Sequence, residues 1–491
     1  MGHSEIREST KQSLLEKVAT QNYKKYLVKL DIIKVRGFQD QGVKFDFPVT
    51  ALIGANGSGK SSILGAAGCA YKQIRPSYFF PKSAIGDESM ADWRVEYEIV
   101  DKCKNPKGIL RRNSNFKRAK WNRSEVLDRH TQFFGIERTV PAGEKTKFAK
   151  LMRSTYNLQG QLSNINAEIA TQTQHIFGRS VAAYQVAALP NDEFFVGDND
   201  GVKYSEFHFG AGESSIIRMV TEIENAPDNS LILIEEIENG LHPVATRRMV
   251  EYLMDVAQRK GAQAIFTTHS DYALEPLPKE AVWSCVNGKV TQGKLSVEAL
   301  RSVSGRVDKE VVIFVEDTFA QKWVESILRT HLKDAYEQVA VYPTSGDGNA
   351  VKFHREFIAN PATNSNSLCV LDGDSATPEA PESNIIKLPG AQPELSVLEN
   401  VISHLSTDIA ILTVACQLSP EAQDKVSQVI DSVMASNRDP HLIFNQIGMK
   451  LGFIPEEVIR GAFLSRWVAR NPEFVTALGN RVQELIDSAS A

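Results

Sequence analysis

Two hydrophobic rhythms run through this chain, and each predicts a different kind of element. Residues 27 to 53 read LVKLDIIKVRGF, then VKFDF, then the mostly apolar VTALI. Largely alternating apolar and polar positions predict strands with one buried face. The stretch 91 to 123 contains WRVEYEIV and GILRRN and predicts a β-hairpin region. The runs at 231–234, 264–268, 311–315 and 368–371 are apolar or nearly so throughout, which predicts strands buried on both faces. Residues 144 to 186 lack alternation and predict a helical insertion. Residues 396 to 491 repeat apolar positions at helical spacing, as in VSQVIDSVMAS and VTALGNRVQELIDSA, and predict a helical cap or an oligomer contact. The chain is therefore expected to be α/β, with a helical C-terminal segment.

What terminates each apolar run is more informative than the run itself. The first ends in GANGSGKS, residues 54 to 61, and a helix-compatible stretch follows. Strand, glycine loop and helix together form a phosphate-binding loop. Its glycines let backbone N–H groups close around phosphate oxygens without a Cβ in the way. Lys60 is placed to reach the β- and γ-phosphates, and Ser61 to hold Mg²⁺. The expected nucleotide contacts are Gly54, Asn56, Gly57, Ser58, Gly59, Lys60, Ser61 and Ser62.

Three further segments follow in order. Phe209 to Ser215, FGAGESS, precedes an apolar helical stretch, so Gly210, Gly212 and Glu213 stand where backbone amides meet an anion. The run LILI ends in Glu235 and Glu236; paired carboxylates at the end of a buried strand are costly unless they bind a metal or act as a base. Glu235 would support Mg²⁺ and Glu236 would orient the attacking water. The run AIFTT ends in His269, at the strand end where open α/β sheets bind ligands.

The second half repeats the device without the glycine loop. Val311–Val315 ends in Glu316, and Leu368–Leu371 ends in Asp372-Gly373-Asp374. Parallel strands joined by a helical crossover bring their C-terminal ends together. Glu316, Asp372 and Asp374 are therefore expected at one sheet edge, where mutual repulsion favours occupation by divalent cations. Oxygen-only ligands select Mg²⁺ or Mn²⁺ over zinc.

Composition narrows the setting. A chain of 491 residues implies two or three domains. The net charge of −5 excludes a uniformly basic nucleic-acid coat, so contact with DNA must come from local patches. One such patch is residues 102 to 123, with nine Lys/Arg, no acid, and Phe116 and Trp121 interleaved. The bases could stack on those rings, or the stretch could be a solvated hairpin. Five scattered cysteines without a Cys-x-x-Cys pair argue against structural zinc and disulfides. With a polar N-terminus and no membrane-length apolar run, the expectation is a cytoplasmic protein without a membrane partner.

GANGSGKS, FGAGES, LILIEEIENGLHP and IFTTHS resemble the four elements of an ABC-type ATPase head, as in RecF, the SMC proteins and the OLD-family nucleases. The resemblance implies ATP and Mg²⁺, and a composite site in which one subunit's phosphate loop faces the FGAGES segment of another across a homodimer or higher oligomer. Two departures, Glu235 where the family has Asp and Gly210 where it has Ser, point to slow, switch-like hydrolysis. Gln73 and Gln132 both stand as the Mg²⁺-sensing glutamine. Glu316 followed by Asp372-x-Asp374, with LPGAQPE after them, resembles a Toprim domain. Here Asp317 replaces a frequent Gly, Ala320 replaces an acid found in some relatives, and no catalytic lysine is identified.

An ABC head before a Toprim domain is the OLD layout. It implies an ATPase domain over residues 1–300, a Rossmann-like Toprim domain over 305–395, and a helical segment over 396–491. The function implied is an ATP-regulated, Mg²⁺- or Mn²⁺-dependent DNA endonuclease, in bacterial anti-phage defence. The alternative is an ATPase sensor or scaffold with a degenerate Toprim that assembles with a separate defence partner, protein or nucleic acid. A third reading is a RecF-like repair protein that loads onto DNA ends.

Overall fold

The computed structural model describes residues 6–82, 90–118, 120–140, 142–144, 148, 162–189, 192–199, 201–286, 288–294, 309–344, 346–360 and 365–489. The chain divides into two compact units, Met1–Val297 and Glu298–Ala491.

The described strands of the first unit are β1 (Lys25–Val35), β2 (Phe38–Lys44), β3 (Val49–Gly54), β4 (Arg94–Asp101), β5 (Ile109–Lys117), β6 (Lys120–Arg123), β7 (Thr131–Phe134), β8 (Leu162–Asn164), β9 (Gln185–Leu189), β10 (Asp192–Asn199), β11 (Val202–Ser205), β12 (Leu231–Ile234), β13 (Gln263–Thr268), β14 (Val282–Val286) and β15 (Lys289–Gln292). The central sheet has the order β15-β14-β3-β13-β12-β7. Its strands are parallel except β15. Every residue of β3, β12, β13 and β14 is buried. Continuous apolar runs are what a parallel sheet covered on both faces requires.

A second, antiparallel sheet, β2-β1-β4-β5-β6, alternates buried and exposed positions. Leu30, Ile32 and Val95 of this sheet share one core with Leu52, Leu233 and Ile265 of the central sheet and with Ile63 and Leu64 of the helix Lys60–Gly68. A single side chain also joins the two sheets. Gln263, fully buried, donates from Nε2 to Leu27 O at 2.9 Å and accepts from Leu27 N at Oε1, also at 2.9 Å. The amide thus repeats the pairing that a neighbouring strand would supply. Arg129 braces it, donating to Gln263 Oε1 at 2.9 Å.

The third sheet, β11-β10-β9-β8, is antiparallel. It packs Tyr184 and Phe195 with Phe209 and with Ile217 of the helix Ala211–Asn225. The region 144–186, expected to be helical, is mixed: it holds β8, the helix Ala167–Phe177 and the start of β9. Residues 145–147 and 149–161 of that region lie outside the described residues.

The second unit is built on β16 (Val311–Val315), β17 (Val339–Pro343), β18 (Asn366–Leu371) and β19 (Ile385–Lys387), in the order β17-β16-β18-β19 and all parallel. Side chains of β16 alternate between two faces. Phe314 meets Phe353 and Phe357 of the helix Asp347–Ile358. Val311, Ile313 and Val315 enter the core shared with the helices Thr318–Leu332 and Pro472–Ala489. Residues 396–491, expected as a separate helical segment, therefore share one core with this sheet, through residues such as Phe444, Phe463, Trp467 and Val482. No single helix among the described residues is long and apolar enough to cross a membrane.

Candidate functional site

Parallel pairing places the ends of β3, β12 and β13 along one edge of the central sheet. β3 runs directly into the glycine loop. Gly54, Gly57 and Gly59 have φ of 154°, 81° and 98°. At Gly59 a Cβ would lie 2.3 Å from the Phe38 ring, so both backbone conformation and space demand glycine there. Lys60 is buried, and its ammonium donates to the carbonyls of Gly54 and Ala55 at 2.9 and 3.0 Å. Burial lowers its proton affinity, while Cys285, Glu236 and Glu238 oppose that shift. The phosphate-loop lysine therefore lies within the field of the acids that end β12.

The neighbouring serines differ in commitment. Ser61 is exposed. Ser62 is buried and accepts from the Arg36 guanidinium at 2.8 Å. Ser58 Oγ is buried without a hydrogen-bond partner among the described residues. Asn56 and Gly57 are exposed at the loop's tip. A loop with a buried orphan hydroxyl and exposed amides suits an anionic guest.

The turn after β12 is held from three directions. Glu236 has φ of 45°, an uncommon conformation for a residue with a side chain. Its N–H donates to Thr267 Oγ1 at 2.8 Å. Arg138 donates to the carbonyls of Glu235 and Glu236, each at 2.6 Å. Glu238 accepts from Thr268 Oγ1 at 2.7 Å and from His269 N at 2.6 Å, tying the ends of β12 and β13 together. Glu235 and Glu236 are half-buried, as is His269. Arg138 lies outside every motif, and Glu238, although inside LILIEEIENGLHP, has no role assigned at the sequence level; their partners Glu235, Glu236, Thr268 and His269 are distant from them in sequence or reached across the sheet.

The FGAGES segment opens the helix Ala211–Asn225, with Gly210 exposed as its N-cap. Gly212 lies against the turn after Glu236: a Cβ there would stand 2.1 Å from Gly240 O. Glu213 does not stand open to a ligand. It accepts from Tyr184 and Tyr204, the latter at 3.1 Å, and pairs with Arg179 at 2.8 Å. Of the glutamines, Gln73 accepts from Thr131 N at 2.5 Å and Gln132 donates to Glu222.

In the basic hairpin the aromatic rings are not free for bases. Phe116 is buried, and Trp121 packs on Phe80, Trp93 and Phe116, with its indole N–H donating to Phe80 O at 3.3 Å. Arg123 donates to the carbonyls of Cys69, Tyr71 and Ile74. Lys102, Lys104, Lys107, Lys117, Arg118 and Lys120 remain exposed.

In the second unit the strand order reverses between β16 and β18, the point where open parallel sheets bind ligands. Glu316 and Asp372 meet there: Asp372 N donates to Glu316 Oε1 at 2.9 Å. Asp372 is buried, and its Oδ1 has no hydrogen-bond partner among the described residues. Burial, then the charges of Glu316, Asp317, Asp374 and Glu394, push its carboxyl up to about 8. Burial likewise raises Glu316. Asp374 is exposed. Among the described residues, no three His, Cys, Asp or Glu side chains gather closely enough to hold a metal ion by themselves. The expected trio is thus a close pair with Asp374 as a more distant charge. Asp317 is a helix cap, accepting from Ala320 N at 2.8 Å. Glu394, the last residue of the LPGAQPE segment and without a role at the sequence level, is buried; its charge bears on Asp372, and it accepts from His441 at 3.1 Å. Gly373 packs against the LPG turn, where a Cβ would lie 1.6 Å from Gly390 O.

Comparison with known proteins adds two family models. One, described as an AAA domain, putative AbiEii toxin, Type IV TA system, matches residues 104–275. The other, an AAA domain, matches residues 29–77. Comparison with curated proteins found no match. Among solved structures, the SMC head domain from Thermotoga maritima is 14% identical, with a TM-score of 0.36, over 55% of this chain and 99% of that one. The Smc head domain of Pyrococcus furiosus, with an extended coiled coil and bound to the C-terminal domain of ScpA, is 12% identical with a TM-score of 0.38, over 56% and 97%. An SmcHead bound to the C-winged helix domain of ScpA is 14% identical with a TM-score of 0.39, over 56% and 99%. Between them, the two AAA-domain models span the glycine loop, the Glu235–Glu236 turn and His269, so the similarity to AAA domains covers the segments that end β3, β12 and β13.

Proposed function

We propose that the chain is an ATP-regulated, divalent-metal-dependent DNA endonuclease, with ATP acting at the first unit and cleavage at the Glu316–Asp372 edge of the second. The observation that carries this reading is the buried, unpartnered Asp372 Oδ1 beside Glu316 at the strand-order reversal. An orphan carboxylate oxygen at such a position is costly without a guest. Mg²⁺ is commonly bound by one or two carboxylates plus waters and substrate phosphates, so the pair needs no third protein ligand. When bound, the cation would supply an activated water and neutralise charge on the scissile phosphodiester. Glu316 and Asp372 would hold it, and Asp374 would orient its waters. The family model naming a putative toxin of a toxin–antitoxin system supports a role in defence.

In the first unit, Lys60 would leave the loop carbonyls for the β- and γ-phosphates, and Ser61 and Glu235 would support Mg²⁺. Glu236 would orient water, and His269 would contact the γ-phosphate. Gly210 and Gly212 would act across a homodimer.

A second reading is an ATPase sensor or scaffold that acts through a separate partner. It is favoured by the lack, among the described residues, of three side chains gathered to hold a metal. Supercoiled plasmid incubated with Mg²⁺ or Mn²⁺, with and without ATP, separates the two. Cleavage by wild type and none by Asp372→Ala supports the nuclease. Intact plasmid under every condition supports the scaffold, to be followed by co-purification of a stoichiometric partner.

A further inference from the structure

Two buried threonines, Thr267 and Thr268, end β13 after the apolar residues Ala264, Ile265 and Phe266. Successive side chains of a strand point to opposite faces, so the two hydroxyls leave the sheet on different sides. Buried hydroxyls need partners, and both find them in the turn after β12. Thr267 Oγ1 accepts from Glu236 N at 2.8 Å, and Thr268 Oγ1 donates to Glu238 Oε2 at 2.7 Å. The Thr267 carbonyl also accepts from Ile237 N at 3.0 Å. The turn that carries Glu235 and Glu236 is thus gripped from both faces of the sheet by the end of β13.

We propose that Glu238 is a positioning residue for ATP hydrolysis, setting the separation of Glu236 and His269 across the place where the γ-phosphate would lie. The inference rests on the reading in which Glu236 orients water and His269 contacts that phosphate. Glu238 stands two residues beyond Glu236 in the chain, and its Oε1 accepts from His269 N at 2.6 Å. One side chain therefore spans from the acid-bearing turn of β12 to the residue that follows β13. Each carboxylate oxygen takes one end of that span, Oε2 at Thr268 and Oε1 at His269. Its charge also bears on a neighbour. Burial lowers the proton affinity of Arg138, and Glu238 leads the acids that oppose this shift. The carboxylate thus supports the guanidinium that holds the Glu235 and Glu236 carbonyls.

The far side of the turn is fixed as well. Leu241 N donates to the Glu238 carbonyl at 2.8 Å. Gly240, with φ of 78°, packs its carbonyl on Gly212, where a Cβ would stand 2.1 Å away. Glu238 therefore lies between two anchored points, the end of β13 and the FGAGES segment. Misplacing a catalytic group by about 1 Å can cost about a hundredfold in rate, so the span has a kinetic consequence. Glutamine can reproduce it. Its Oε1 would accept from His269 N, and its Nε2 would donate to Thr268 Oγ1, because a hydroxyl accepts as well as donates. Alanine removes both bonds.

The test compares steady-state ATP turnover and fluorescent-nucleotide affinity of the full chain with those of Glu238→Ala, Glu238→Gln, Thr268→Val and Glu236→Gln. Glu238→Ala should lower kcat at least tenfold while nucleotide affinity changes less than threefold. Glu238→Gln should stay within threefold of wild type in both. Thr268→Val keeps the shape of the threonine and should lower kcat at least threefold, so it reads the span if Glu238→Ala fails to fold. Glu238→Gln as slow as Glu238→Ala overturns the proposal, because the charge and not the span would then matter. So does wild-type kcat in Glu238→Ala or Thr268→Val, or a fall of kcat and affinity in equal measure. Glu236→Gln separates this from failure of the underlying reading. Wild-type turnover in Glu236→Gln overturns both, whereas its loss beside an unaffected Glu238→Ala overturns the positioning role alone.

Discussion

Arg138 holds Glu236 by its backbone, donating to the Glu236 carbonyl at 2.6 Å while Glu236 keeps a φ of 45°. The same guanidinium holds the Glu235 carbonyl, so one side chain fixes both acids that end β12. Its planar fork matches two adjacent carbonyls, which an ammonium cannot reproduce. Arg138→Ala and Arg138→Lys should both lower ATP turnover at least tenfold while nucleotide affinity changes less than threefold. Losing these bonds should cost about 1–3 kcal/mol of stability. Turnover and denaturant unfolding, measured on the same preparations, check both parts.

Gly59→Ala faces two separate obstacles, a φ of 98° and the Phe38 ring 2.3 Å from the new Cβ. Nucleotide binding should weaken at least tenfold, or about 1.4 kcal/mol. Adding Phe38→Ala removes the clash but not the backbone strain, so affinity should recover only in part. Full recovery in a fluorescent-nucleotide titration would show that space alone sets the requirement.

Asp372 makes the second unit sensitive to alkali when no cation is bound. Its carboxyl is raised from 3.8 to about 8 in the fold. Between those values the folded chain keeps a proton that the unfolded chain has lost. Its stabilising contribution is full below about pH 4 and is lost as pH rises through about 8. Metal-free protein should therefore melt at lower temperature as pH rises across that window. Asp372→Asn should flatten the slope. A thermal melt series at several pH values in EDTA tests it; an identical slope in the variant would falsify the assignment.

The basic hairpin separates structural from solvated cations. Arg123 donates to three carbonyls, whereas Lys117 and Lys120 are exposed. Arg123→Gln should destabilise by about 1–3 kcal/mol, and Lys117→Gln or Lys120→Gln by less than about 0.5 kcal/mol. Melting temperatures of the three variants decide it. If this surface contacts DNA, only the two lysine changes should flatten the salt dependence of binding without loss of stability.

The legible parts of this molecule are those written in consecutive residues. The glycine loop, the apolar strands and the acids at their ends are all local patterns, and the parallel sheets put those ends on common edges. What the sequence concealed depends on contacts between distant positions. Arg138 reaches the Glu235 turn from β7's far end, Glu238 reaches across to His269, and Glu394 comes from beyond β19 to bear on Asp372. Trp121 was ambiguous for another reason: alternation says that one face is buried but not which, and here that face carries the ring into the core. The stretch 144–186 combines strand and helix because β8 pairs with β9 across the intervening helix, and β9 is in turn completed by β10, outside the window in which periodicity is read.

The Leu27 amide is paired to the Gln263 side chain and not to a strand. Its hydrogen can exchange with solvent only when the antiparallel sheet lifts from the central one or the glutamine swings away. That single amide is therefore a natural reporter of how firmly the two layers stay joined. Its exchange rate, followed by mass spectrometry with and without nucleotide, would register loosening of the ATPase core that turnover alone cannot reveal.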